Sequence, residues 1–137
     1  MKTYSYRQHE YLFFILLIIY AFSVPNAAIA HGWKAPAEAA QKINPLQMNE
    51  ASIKEGRKSY VYACTSCHGE RGRGDGPLAE EMDPKPADLV KRLEGHSEGD
   101  FFWKISNGRG AMPAFRDQLN EKQIWMVINY LKSLMRQ

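Results

Sequence analysis

The pentapeptide Cys64-Thr65-Ser66-Cys67-His68 constrains this chain of 137 residues more than any other feature. A C-x-x-C-H sequence is typical of covalent c-type haem attachment, in which both thiols form thioethers to the haem vinyl groups and the adjacent histidine ligates the iron. We therefore expect Cys64 and Cys67 to bind one iron-containing haem c covalently, with His68 as the proximal iron ligand. This chemistry is typical of proteins that carry electrons.

Three other interpretations of the motif are open, but they fit the sequence less well. A redox-active dithiol is expected in a βαβ context, and no strand-like run lies near the motif. A structural zinc site usually needs four Cys or His ligands, whereas the chain has only two cysteines and His31 and His96 do not readily complete a site. A structural disulfide would close a loop of only two residues, which suits catalytic dithiols better.

Residues 1–30 have the organisation of a secretory signal peptide. Lys2 and Arg7 precede an apolar run over residues 11–24, and an A-x-A cleavage pattern follows at residues 28–30. The run has 14 residues, whereas a membrane-spanning helix needs about 20; an uncleaved membrane anchor is the alternative. We expect a periplasmic protein, because haem c is attached outside the cytoplasm and free exported thiols would otherwise tend to oxidise.

Two stretches follow the predicted signal peptide. Residues 31–48 predict a poorly packed N-terminal leader, because Pro36 and the Asn44-Pro45 turn signal interrupt any long helix. Residues 49–137 predict a single all-α domain, since no alternating β pattern occurs there. The single C-x-x-C-H motif predicts a single haem.

Three main helices are expected in this domain. The first covers residues 50–63 with Asn49 as its N-cap, and Gly56 in its interior indicates close packing against another helix. A second, shorter helix follows Ser97 and stops at an Asn-Gly pair. The last begins at Asn120 and carries one apolar stripe. Between the motif and the second helix, glycines and prolines predict a loop with two short helical turns.

The sixth ligand of the iron is expected to be Met112. The loop over residues 108–113 is rich in glycine, which allows close approach to the haem, and is bounded by a stiffening proline. It follows His68 by enough residues to return over the opposite haem face. A thioether at this position raises the reduction potential and suits electron transfer, whereas an open position suits ligand binding or catalysis. Met82 and His96 are the alternative ligands.

These features together resemble the class I c-type cytochromes in their bacterial periplasmic, single-haem form. The resemblance covers roughly residues 49–135, nearly all of the predicted domain. The motifs that carry it are the helix entering Cys64-Thr65-Ser66-Cys67-His68-Gly69, the loop Gly72-Arg73-Gly74-Asp75-Gly76-Pro77, the segment Pro86-Ala87-Asp88-Leu89, the segment Gly108-Arg109-Gly110-Ala111-Met112-Pro113-Ala114-Phe115, and the terminal helix with Trp125 and Tyr130.

The resemblance implies the class I cytochrome c fold, in which three main helices and short helical turns wrap around one covalent haem. It implies that the first and last helices cross with Gly56 and Tyr130 at the crossing. It also implies that the carbonyl oxygen of Pro77 accepts a hydrogen bond from the second ring nitrogen of His68, which tunes the ligand. The implied function is one-electron transfer, with His68 and Met112 as axial ligands of the haem iron.

The expected partners are redox proteins that the sequence does not identify, among them a membrane-bound or periplasmic oxidoreductase. We expect an electron-transfer protein, not an enzyme, and a monomer when free. The alternatives are a cytochrome subunit of a larger periplasmic oxidoreductase complex, or a ligand-binding haem protein with an open sixth site. The formal net charge is +3 and no basic run occurs, so no binding to nucleic acid is expected.

Overall fold

Helices joined by loops make up the described part, residues 32–136, of the computed structural model. In chain order they are α1 (Ala37–Ala40), α2 (Glu50–Ala63), α3 (Thr65–His68), α4 (Leu89–Leu93), α5 (Glu98–Asn107) and α6 (Glu121–Leu134), with a 3₁₀ turn at Ala79–Glu81 between α3 and α4. Within residues 32–136 no β-strand forms, and an isolated antiparallel bridge pairs Arg109 with Met112. The prediction of an all-α domain with three main helices is confirmed.

Polar side chains fix the starts of the three main helices. Asn49 and Asn120 each form a reciprocal capping box with the residue three positions later, at the beginning of α2 and α6. The Ser97 side chain accepts a hydrogen bond from the Asp100 amide at 3.1 Å and begins α5. Such caps satisfy amides that have no partner within the helix. The three predicted starts are therefore confirmed.

The core forms where α2 crosses α6. A Cβ atom built on Gly56 of α2 would lie 3.1 Å from the Cβ atom of Tyr130 in α6, so the two helices touch at this point. The ring centroids of Tyr60 and Tyr130 lie 5.2 Å apart beside it. The predicted crossing at Gly56 and Tyr130 is confirmed. The remaining buried apolar side chains of the core are Cys64, Phe101, Phe102, Ile105, Phe115, Leu119, Ile124, Trp125, Val127, Ile128 and Leu131.

The segment before α2 packs on the domain, so the prediction of a poorly packed leader is wrong. The Asn44 side-chain amide donates to Asn129 Oδ1 at 2.9 Å, and the Ser97 hydroxyl donates to the Ala40 carbonyl oxygen at 2.6 Å. The compact unit accordingly begins at Trp33. The helix α1 already ends at Ala40, before the Asn44-Pro45 pair, and the turn at this pair directs the Asn44 amide onto α6.

The predicted signal peptide, residues 1–30, and His31 lie outside the described residues. Between residues 32 and 136, no helix is long and apolar enough to cross a bilayer. The candidate site is built from the junction of α2 and α3 and from the loops that follow it.

Candidate functional site

The C-x-x-C-H motif lies where α2 ends and α3 begins. Cys64 closes α2, and its carbonyl oxygen accepts hydrogen bonds from the amides of Cys67 and His68 at 3.2 and 2.8 Å. Residues three and four positions apart in a helical turn lie on the same side. The turn therefore presents both thiols and the imidazole together. Both cysteines are free, and burial, with the neighbouring Cys67, raises the pKa of Cys64 to about 12.

The imidazole of His68 is held by a backbone carbonyl group. His68 Nδ1 lies 3.0 Å from the carbonyl oxygen of Ala87, and because a carbonyl oxygen only accepts, Nδ1 carries the proton. Burial lowers the pKa of His68, although the hydrogen bond to Ala87 partly raises it. The net lowering of the pKa favours the neutral ring, and the hydrogen bond to Ala87 places the proton on Nδ1 and the lone pair on Nε2. This is the form that ligates iron, so the donor set of the motif fits haem c.

The implied contact between Pro77 and His68 is wrong, because Ala87 takes that place. The loop after the motif turns back on the motif backbone, where the Gly76 amide donates to the Cys67 carbonyl oxygen at 3.1 Å. Pro77 is consequently exposed and lines an open groove on the motif. A second loop contact, from the Leu89 amide to the Gly72 carbonyl oxygen at 2.6 Å, brings the segment before α4 close to the imidazole.

Two tyrosines hold the chain that leaves the motif. The Tyr60 hydroxyl donates to the Gly69 carbonyl oxygen at 2.7 Å, and the Tyr130 hydroxyl donates to the Glu70 carbonyl oxygen at 3.2 Å. Tyr60 is fully buried, and this burial raises its pKa. The residue after His68 is therefore fixed from the core. The helical pattern of the sequence does not by itself predict this role of Tyr60; a phenolic hydroxyl at a core position, which needs a hydrogen-bond partner, is the available signal.

Met112 lies in a tight turn between α5 and α6. The Arg109 amide donates to the Met112 carbonyl oxygen at 2.8 Å, and the Met112 amide donates to the Arg109 carbonyl oxygen at 3.0 Å. Gly108 and Gly110 have φ values of 62° and 58°, which favour glycine. Met112 is half-buried and packs against the core that contains Cys64. The loop thus has the close turn that its glycines indicated.

The alternative ligand His96 belongs to a different group of side chains. Its Nδ1 lies 2.8 Å from Asp100 Oδ2, and Lys104 Nζ lies 2.5 Å from the same oxygen. The pKa of His96 is lowered by burial first and then by the charge of Lys104. His96 therefore belongs to a cluster of charged side chains beside α5 that also contains Asp100 and Lys104. The other alternative, Met82, is half-buried after the 3₁₀ turn.

A helical fold that presents two thiols and an imidazole on one turn, beside a methionine packed on the same core, defines a class I c-type cytochrome. Residues 51–131 match the family described as cytochrome c oxidase, cbb3-type, subunit III. This match covers more than half of the chain, and the chain belongs to that family.

Individual cytochromes are also similar to this chain in sequence. Cytochrome c6 of Cladophora glomerata is 35% identical over 80 residues, which are 58% of this chain and 85% of the relative. Cytochrome c550 of Pseudomonas aeruginosa is 23% identical over 141 residues, covering 87% of this chain and 91% of the relative. The cbb3-type cytochrome c oxidase subunit CcoP of Azospirillum brasilense is 28% identical over 99 residues, covering 72% of this chain but 34% of the subunit.

A solved structure shows the same fold. One chain of the reducing HAO-like protein complex of Kuenenia stuttgartiensis superposes with a TM-score of 0.59 at 34% identity, covering 66% of this chain and 46% of that chain. This chain thus spans about a third of CcoP and less than half of the Kuenenia chain. Together the relatives confirm the class I cytochrome fold, and the protein is an electron-transfer cytochrome that uses haem c.

Proposed function

We propose that this chain carries one covalently bound haem c and transfers single electrons between redox proteins. Cys64 and Cys67 would hold the haem by thioether bonds, and His68 Nε2 and Met112 Sδ would ligate its iron. The contact that carries the proposal is the hydrogen bond from His68 Nδ1 to Ala87, because it leaves Nε2 available on the turn that bears both thiols. Haem c, when bound, supplies a one-electron ferrous–ferric couple.

The residues of the chain would hold the ligating side chains in fixed positions. The Ala87 carbonyl oxygen keeps the proton on His68 Nδ1 and sets the orientation of the ring. Tyr60 anchors the next residue through its hydroxyl. The closed turn of Met112 packs its thioether side chain against the core that contains Cys64, where it would ligate the iron of a bound haem. The chain itself moves no proton in this mechanism.

Covalent attachment is tested with the double variant Cys64→Ala/Cys67→Ala, produced together with a c-type maturation system. We expect the wild-type chain to keep the mass of one haem after denaturation and the double variant to keep none. Ser66→Ala changes an exposed side chain of the same pentapeptide without removing a thiol and should keep the haem. Haem that remains attached to the double variant would contradict the proposal.

A second candidate function is that of a cytochrome subunit in a larger oxidoreductase complex. The similarity to CcoP and to a chain of the HAO-like complex favours it, since this chain matches only part of each. Size-exclusion chromatography of native extract separates the two functions. Haem that elutes with a larger complex favours the subunit, and haem at the size of a small monomer favours the free carrier.

We also propose that the protein is exported to the periplasm and that residues 1–30 are removed. The support is the charged and apolar order of this segment together with its cleavage pattern. The intact mass of the native protein reports removal of the segment and the number of haems in one measurement. A mass that includes residues 1–30 would instead favour the membrane anchor.

A further inference from the structure

Trp33 lies between the end of α5 and the turn that carries Met112. The Arg109 guanidinium carbon lies 5.9 Å from the centroid of a Trp33 ring, and Lys104 Nζ lies 5.5 Å from it. Cations at this distance from an indole are attracted to its face, and tryptophan is the strongest aromatic partner for them. The indole therefore links the N-terminal segment to both α5 and the Met112 turn.

Arg109 and Met112 move together because the turn closes on itself. Two backbone hydrogen bonds join these residues in both directions, at 2.8 and 3.0 Å. Arg109 is exposed, whereas Met112 is half-buried. Arg109 is therefore the residue of this turn through which a contact from outside the turn can act. A contact that restrains Arg109 therefore also restrains the backbone that presents the methionine.

The indole is itself anchored by a buried charge. Two residues after Trp33, the Ala35 amide donates to Asp100 Oδ1 at 2.7 Å. The other carboxylate oxygen of Asp100 lies 2.5 Å from Lys104 Nζ, and the Asp100 side chain is only 6% exposed. Hydrogen bonds to a charged and buried acceptor are among the stronger ones in proteins. The N-terminal segment thus cannot leave α5 without exposing or unpairing this carboxylate.

We propose that Trp33 is a positioning residue for the sixth iron ligand, acting through Arg109 on the turn of Met112. This inference rests on the proposed ligation by Met112. Without the indole, the methionine leaves the iron in a larger fraction of molecules, and an external ligand then competes more successfully for the sixth position. The N-terminal segment, which precedes the family match, is thereby part of the electron-transfer site.

The test is the affinity of imidazole for the full-length ferric holoprotein, measured with the sulfur-to-iron charge-transfer band. In Trp33→Ala two cation–π contacts are lost, and we expect imidazole to bind about 5- to 25-fold more tightly, which corresponds to ~1–2 kcal/mol. Trp33→Phe keeps an aromatic face and should restore most of the wild-type value. Lys42→Ala removes a contact of the same kind, 5.6 Å from the Phe102 ring centroid, and should leave the affinity unchanged.

A second variant keeps the proposal testable if Trp33→Ala does not fold. Arg109→Gln alters an exposed side chain and should raise the imidazole affinity about 2- to 5-fold, the loss of one such contact. Combined with Trp33→Ala it should add nothing further, because Trp33→Ala already removes the contact between Arg109 and the indole. An unchanged affinity in Arg109→Gln, or fully additive effects, would overturn the role of Trp33. A wild-type protein without the charge-transfer band would instead overturn the ligation by Met112, and with it this inference.

Discussion

Gly56 lies so close to Met126 that a Cβ atom added to it would stand 2.5 Å from the Met126 carbonyl carbon, and closer still to the oxygen. Backbone atoms cannot give way as a flexible side chain can, so Gly56→Ala must push α2 and α6 apart. Overpacking of this kind costs about 1–3 kcal/mol, and it acts against the ~1 kcal/mol that alanine gains over glycine in a helix. We expect a net loss of stability, measured by denaturant unfolding of the holoprotein.

Gly95 provides the matched control for this substitution. A Cβ atom added there meets nothing within 4 Å, so Gly95→Ala should be neutral or slightly stabilising through the unfolded chain. Equal losses in the two variants would show that the crossing of α2 and α6 is not the cause.

The second prediction concerns the hydroxyl that holds the residue after His68. Tyr60→Phe keeps the ring but leaves the Gly69 carbonyl oxygen without its buried donor, at a cost of about 1–3 kcal/mol. We expect a lower thermal midpoint and altered hyperfine shifts of the His68 ring in nuclear magnetic resonance spectra of the ferric protein. Tyr62→Phe, at a position 78% exposed, should change neither the thermal midpoint nor the hyperfine shifts. If the hyperfine shifts of Tyr60→Phe match those of the wild type, Tyr60 does not restrain His68.

The third prediction tests the sixth ligand directly. Met112→Ala should open the position and lower the midpoint potential, because thioether ligation raises it. The expected drop is on the order of a hundred millivolts, within the span of about 0.8 V that axial ligands set. Redox titration measures it, and Met135→Ala, an exposed position, is the control. An unchanged spectrum and potential in Met112→Ala would transfer the role to Met82 or His96.

The fourth prediction concerns acid stability and the carboxylate of Asp100. Burial alone would raise the pKa of Asp100, but hydrogen bonds from Lys104 and the Ala35 amide outweigh it, so the pKa is lowered. The charge of Asp100 then contributes stability that is fully present above the pKa of Asp100 in the unfolded chain, about 3.9. This stability is lost as the pH falls through the lower pKa of Asp100 in the folded protein. The lowered pKa of His96, caused by burial first and then by the charge of Lys104, acts in the same direction. The unfolded chain takes up a proton at His96 below about pH 6.5, whereas the folded chain resists it, so stability is lost as the pH falls.

Asp100→Asn should therefore be less stable than wild type at pH 7, by about 1.5–3 kcal/mol, and should lose less stability between pH 5 and about pH 2. Unfolding curves over this pH range measure both effects. Asp117→Asn, at an exposed position, should follow the wild-type curve. Parallel pH curves for Asp100→Asn and wild type would contradict the role given to the carboxylate.

Local signals in the sequence were sufficient to predict where the three main helices begin. Asn49, Ser97 and Asn120 are capping residues whose partners lie three positions away, so the helix starts could be predicted without tertiary information. The crossing at Gly56 was also predictable, because a glycine inside an otherwise regular helix indicates a close neighbour.

Contacts between distant segments could not be predicted in the same way. The hydrogen-bond acceptor for His68 Nδ1 is the carbonyl oxygen of Ala87, 19 residues away. Because every residue has a backbone carbonyl group, residue type does not indicate which one accepts. The packing of Asn44 and Trp33 on α6 and α5 depends likewise on how the chain returns over the domain. The family resemblance implied Pro77 as the partner of His68, but the loop that carries Pro77 folds back on the motif backbone and leaves Pro77 exposed.

The Asn129 side chain has a practical consequence for protein engineering. It is 1% exposed, accepts from Asn44 at 2.9 Å and donates to the Gln47 carbonyl oxygen at 3.3 Å, and both partners precede residue 51, where the family match begins. A fragment trimmed to that match keeps the hydrogen bond from Asn129 Nδ2 to the Ser52 hydroxyl at 3.2 Å, but it leaves Asn129 Oδ1 without the Asn44 donor, at a cost of about 1–3 kcal/mol. Fusions or grafts of this electron-transfer module therefore need their junction upstream of Trp33, before the start of the family match at residue 51.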